Sequence, residues 1–112
     1  MAKVTRGDAI KAVTTALGNL QDDELVASGV RTSLDWLATE HPGRAVEVRV
    51  PPYSAVQILG GTTHRRGTPP AVVEMSAQTW LELFTKKLTW TDAVSSGQVI
   101  ASGERSDLSE FF

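Results

Sequence analysis

The chain has no cysteine among its 112 residues. That excludes disulfides, thiol nucleophiles and thiolate metal sites, and it leaves the redox compartment open. Histidine is scarce: His41 and His64 are the only two, without metal-ligand spacing. No apolar run approaches the roughly 20 residues of a membrane span. The opening MAKVTRGDAI has no apolar core of the signal-peptide kind. A soluble cytoplasmic protein with no integral membrane segment is the expectation. Basic charge is not in excess, with a net charge of −2 and a pI near 5.6. No nucleic-acid partner is therefore expected. The chain also lacks a G-x-S-x-G elbow, a Walker loop and a dinucleotide fingerprint. Glu74 has no identifiable acid–base partner. Nothing specific supports an enzyme, a metal site or a cofactor. There is no internal repeat and no low-complexity tract.

What is present suits one domain over residues 1–112 with its own core. Helices are expected in residues 5–40. Ile10, Val13 and Leu17 recur at helical spacing behind Thr5 and Asp8, a variant capping box. Gly18-Asn19 ends that helix. A second runs from about Asp22 to Glu40, with Val26, Val30, Leu34 and Leu37 on its apolar side and Trp36 on the flank. Asp22, Asp23 and Glu24 suit its N-terminal dipole. His41-Pro42-Gly43 stops it, which leaves His41 in a solvated turn.

The hydrophobic period then changes. In Ala45 to Val50, Val46, Val48 and Val50 alternate with Glu47 and Arg49, as in a half-buried strand. Pro51-Pro52 bars continuation as a central strand. Ala55 to Leu59 reads as a second strand and Gly60-Gly61 as a turn. Thr62 to Arg66 supplies a short third strand before Gly67-Thr68-Pro69-Pro70, and Ala71 to Met75 a fourth. His64-Arg65-Arg66 is the one local basic cluster, read as charge protecting an edge strand or as a phosphate or headgroup site. Arg31, Arg44 and Arg49 are candidates for ion pairs with Glu47 or Glu74.

From Ser76 the helical period returns. Ser76 suits an N-cap, and Met75 with Trp80 has hydrophobic-staple spacing. Trp80, Leu83, Phe84 and Leu88 form an apolar stripe, with Lys86 and Lys87 on the wet side. Thr89 and Asp92 can cap a short helix bearing Trp90, Ala93 and Val94, closed by Gly97. Gln98 to Ser102 is a fifth strand. Ser106 can cap a last helical turn bearing Leu108, Phe111 and Phe112. A helical connection of about 20 residues between the last two strands suits a right-handed parallel crossover. The expected fold is α+β, a five-stranded mixed sheet with helices mainly on one face.

The words VVEMSAQTWLELFTKKLTWTDAVSSGQVIASGERSDL, Val72 to Leu108, resemble the sterol carrier protein type 2 family. That family has a helix with "xxFxxLxxGKL", a short "xxAxxxGK" helix, a strand "hxhxG" and a Leu-bearing terminal helix. Lys87-Leu88 stands at the "KL", Asp92-Ala93 begins the short helix, Gly97 takes the Gly, and Gln98 replaces the usual basic residue. Residues Arg31 to Glu74, with their "VRVPP" and "GTPP" words, are similar to the small stand-alone sterol carrier family proteins of actinobacteria. The resemblance implies a non-catalytic domain binding lipids or other apolar molecules in a cavity between sheet and helices. It makes Val56, Ile58, Trp80, Leu83, Phe84, Leu88, Trp90, Val94, Leu108, Phe111 and Phe112 the candidate lipid-binding residues. The short third strand and the brief terminal helix both shrink that cavity.

Energetics narrow the ligand. A sealed void costs about 24 cal/mol per Å³. One of roughly 300 Å³, the low end of ligand pockets, costs roughly 7 kcal/mol against a domain stability of about 5–15 kcal/mol. The space must be small, filled or collapsed, which favours a small or chain-like apolar ligand. The competing reading is an interaction or accessory domain with a filled core. Related domains often occur fused to enzymes, so assistance to a neighbouring catalytic domain is a third. Phe111 and Phe112 plug the core edge or a cavity mouth on the first reading, and meet a partner on the second.

Overall fold

The computed structural model describes residues 3–60 and 70–112. The expected strand Thr62 to Arg66, with His64-Arg65-Arg66 and most of the Gly67-to-Pro70 turn, lies outside them. Two long helices come first: α1 (Arg6–Leu17) and α2 (Asp23–Glu40). Thr5 caps α1 in a full capping box with Asp8, and Asp22 caps α2 by accepting from the N–H groups of Glu24 and Leu25. Strands β1 (Val46–Val50), β2 (Ser54–Ile58) and β3 (Ala71–Met75) follow. Then come α3 (Ala77–Phe84), α4 (Trp90–Ser95), β4 (Val99–Ser102) and a 3₁₀ turn at Ser109–Phe111.

The α+β expectation holds, with a mixed sheet. The strand number does not: the sheet has four strands among the described residues, in the order β2-β1-β3-β4. β3 lies directly against β1 in parallel, with Val46 opposite Ala71 and Val48 opposite Val73, so no strand is inserted between them. The expected parallel crossover into the last strand is also corrected. β3 and β4 are antiparallel, and Met75 stands opposite Val99. The chain thus re-enters the sheet at the end it left. Two helical legs, broken at Lys86 with φ 63°, make that return. A single helix would have carried the chain to the far end, as a parallel pair requires.

One sheet face is covered and one is open. Val46, Val48, Val50, Ile58, Ala71, Val73, Met75 and Val99 are buried, whereas Arg49, Ala55, Gln57 and Ile100 on the other face are exposed. The covered face packs into one apolar cluster with Val30, Leu34, Leu81 and Leu83. Exposed Arg49 pairs with Glu47 across this open face. Arg31 makes a different contact from the expected ion pair, donating from Nε to the Tyr53 carbonyl at 3.1 Å.

α1 turns a different face inward from the expected Ile10, Val13, Leu17 stripe. Ala9, Val13 and Ala16 are buried, and Ile10 is 37% exposed. Small residues let α1 approach α2 closely at Gly29. A Cβ built there would stand 2.7 Å from the Ala16 Cβ and 3.0 Å from the Ala12 carbonyl oxygen. Gly29→Val is therefore expected to lower unfolding stability by about 1–3 kcal/mol through overpacking. Gly7→Ala, whose added Cβ meets nothing nearer than 3.7 Å, is expected to raise it by up to about 1 kcal/mol. Urea unfolding of both variants checks the pair.

Candidate functional site

The site is built around Trp80. Ser76 caps α3 by accepting from the Thr79 N–H at 3.2 Å. That start sets the rotation of the helix, so Trp80, Leu81 and Leu83 face inward. Trp80 donates its indole N–H to Ser33 Oγ of α2 at 2.8 Å, and both residues are fully buried. Ser33 in turn donates to the Gly29 carbonyl one helical turn back, at 2.6 Å. No described buried side-chain N or O lacks a partner.

Aromatic rings surround this anchor. Phe84 lies 5.8 Å from Trp80 between ring centroids, and Trp36 meets Phe84 edge-on at 5.9 Å. Both distances fall in the favourable range for aromatic pairs. α2 supplies Trp36 and Leu37 from its last turns, and His41 closes it by donating its backbone N–H to Leu37. The loop then folds against the end of β2. Leu59 donates its N–H to the His41 carbonyl at 2.8 Å, and its own carbonyl accepts from Ala45 at 2.9 Å. Leu59 is held at φ 66°, a rare conformation for a branched side chain. Gly43 makes the approach possible, because a Cβ there would fall 2.0 Å from the Leu59 carbonyl carbon.

The C-terminal turn forms the remaining wall. Leu108 is fully buried and anchors it. The expected Ser106 does not cap it; Leu108 stands at the N-cap, and the Asp107 carboxylate accepts from the Ser109 N–H at 2.9 Å. That bond holds the Asp107 carboxyl below the usual aspartate range. Phe111 packs on His41 with centroids 4.6 Å apart. Phe112 meets Trp80 edge-on at 5.7 Å and lies parallel to Trp90 at 5.9 Å, with an interplanar angle of 3°.

Together these groups border a partly open cleft of about 500 Å³, lined by Trp36, Leu37, His41, Leu59, Trp80, Phe84, Glu110, Phe111 and Phe112. Of the sequence candidates, Trp80, Phe84, Phe111 and Phe112 meet there. Ile58, Leu83 and Leu108 are fully buried in the core, and Val56 and Leu88 are half-buried against it. Trp90 does not line the cleft, and its ring lies parallel to that of Phe112, which does. Val94 is 41% exposed, because six-residue α4 turns Trp90 and Ala93 inward and leaves Val94 outward. Trp36, Leu37, His41, Leu59 and Glu110 were not among the candidates. His41 is packed against a ring and not in a solvated turn. Its place four residues after Leu37 on the apolar side was the available signal. No group of three or more described His, Asp or Glu residues is placed to hold a metal, and no described helix is long and apolar enough to cross a membrane.

A family model described as bacterial SCP ortholog matches residues 22–112. The chain belongs to this family. The match takes in every cleft residue and all four described strands, whereas α1 precedes it. None of the curated proteins matches the chain.

Two outcomes are expected from this geometry. Ser33→Ala strands the Trp80 indole N–H in the core and should cost about 1–3 kcal/mol of stability. In a double-mutant cycle with Trp80→Phe, which removes that donor, the combined loss should be smaller than the sum. Chemical denaturation of the three variants reads both. The second outcome concerns acid. Because the folded Asp107 carboxyl is depressed, its stabilisation of the turn is present above the unfolded value, about 3.9. It is lost as pH falls through the folded value. The ring-shifted NMR signals of Phe112 should therefore move toward unpacked positions below about pH 4, and Asp107→Asn should remove that response.

Proposed function

We propose that this protein binds small apolar molecules in the cleft between the end of α2, α3 and the C-terminal turn, and catalyses no reaction on them. The observation that carries this reading is a fully buried Trp80 floor, ringed by half-buried Trp36, Phe84, Leu59, Phe111 and Phe112 around about 500 Å³. Such a volume lies within the usual 300–1,000 Å³ of ligand pockets, which are mostly apolar with a few polar groups. Here the polar groups are His41 and Glu110 at the edge. Family membership supports apolar-ligand binding in general, and an SCP-like fold with it.

The site differs in position from the expected cavity between sheet and helices. The sheet-facing residues are buried against α2 and α3 in one cluster, and the cleft opens at the rim of that layer. A rim cleft is open to water, so it escapes the roughly 7 kcal/mol that a sealed 300 Å³ void would impose. The filled layer also favours the second reading, an accessory domain without ligand. The packed state of Phe111 and Phe112 weighs against their serving as a free partner contact.

Native mass spectrometry of the purified protein and displacement of a fluorescent fatty acid test the proposal. Saturable displacement is expected, and Trp36→Ala should weaken it about 10-fold, or about 1.4 kcal/mol. Absence of both a co-purified ligand and saturable displacement would leave the accessory reading standing.

A further inference from the structure

Trp80 borders the cleft yet exposes none of its surface. Part of what covers it is the Phe112 ring, edge-on to Trp80 and parallel to Trp90. Phe112 therefore fills a slot with one flat aromatic wall and one aromatic wall met edge-on. Both arrangements are those aromatic pairs favour. A planar ring from another molecule would meet the same two walls in the same way.

Phe112 is held in that slot by packing. Within residues 109–112, the backbone hydrogen bonds are local: Ser109 to Asp107, Phe111 to Leu108 and Phe112 to Ser109. None of them ties the phenylalanine pair to α2, α3 or α4. Leu108 is fully buried just before the turn and supplies a fixed anchor about which the following residues can swing. An apolar competitor can thus release Phe112 at the cost of local turn bonds alone, because none of these hydrogen bonds runs to α2, α3 or α4.

We propose that the slot between Trp80 and Trp90 is an inner subsite for a planar-ring ligand, and that Phe112 is its built-in occupant, expelled when such a ligand binds. This rests on the apolar-binding reading above and adds a ligand class to it. Besides Phe112 itself, aromatic rings outnumber aliphatic side chains in the lining, four to Leu37 and Leu59. A flat polycyclic molecule gains the stacking that Phe112 gives up, whereas a straight alkyl chain gains no stacking. Phe112 also lowers the apparent affinity, because only the fraction of molecules with the slot vacated is competent to bind.

The probes are N-phenyl-1-naphthylamine, read by its own fluorescence, and dodecanoate, read by displacement. Phe112→Ala is expected to tighten naphthylamine binding at least about 5-fold and to weaken dodecanoate binding, which gains nothing from the vacated slot and loses a cleft wall. In the wild type labelled with fluorophenylalanine, the chain's three Phe residues give three fluorine signals. Saturating naphthylamine should move the Phe112 signal toward its unpacked position and disturb Phe84 less. The wild-type spectrum decides the matter even where Phe112→Ala folds poorly. Naphthylamine binding with an unmoved Phe112 signal, or no gain in a folded Phe112→Ala, would overturn the subsite and leave the apolar-binding reading intact. If neither probe binds wild type or variant, both readings fall together.

Discussion

The indole N–H of Trp80 is a polar group carried into the least polar part of the molecule, where water cannot reach it. Its partner is Ser33 Oγ at 2.8 Å, and Ser33 is itself satisfied by the backbone of α2. This two-step chain ties α3 to α2 at one defined rotation, since a small slip would leave a buried donor unpaired at a cost of about 1–3 kcal/mol. The aromatic neighbours inherit their positions from it. Phe84 follows Trp80 by one helical turn, Trp36 follows Ser33 by three residues, and the two rings meet edge-on at 5.9 Å.

The small side chains beneath α2 are a second constraint that makes the first possible. Ala16 and Gly29 let α1 lie close against α2. α2 can then present Val30, Leu34 and Leu37 toward sheet and α3, while Ser33 reaches Trp80. The layer between sheet and helices is filled with aliphatic side chains. Its rim, where α2 ends and Leu59 turns back, is left to aromatic rings. A cleft at the rim with a rigid floor suits reversible apolar binding better than a sealed chamber, because no large void must be held open.

Local chemistry was the legible part of the sequence. The caps at Thr5, Ser76 and Thr89 are present, since each depends on residues within one turn, whereas Asp22, read as a first-turn charge, is the cap of α2. The alternation in β1 also maps onto a covered and an open face. Long-range geometry was not legible. The antiparallel pairing of β3 with β4 depends on the break at Lys86, which the helical stripe running on to Leu88 conceals. The exposure of Ile10 is decided by the approach of α2 at Gly29. Leu59 and His41 join the cleft through two backbone bonds across a loop, and no local pattern specifies those. Ile58, Leu83 and Leu108 carry the same apolar signal as cleft residues, because an apolar side chain satisfies a core and a ligand wall alike.

The most direct measurement is an amide and indole NMR titration of the 15N-labelled protein with dodecanoate. The account predicts saturable shifts at the Trp36 indole and at Leu59 and His41, while the Trp80 indole N–H stays slow to exchange with water. Freely exchanging Trp80, or shifts centred on Val72 and Ile100 of the open sheet face, would contradict it.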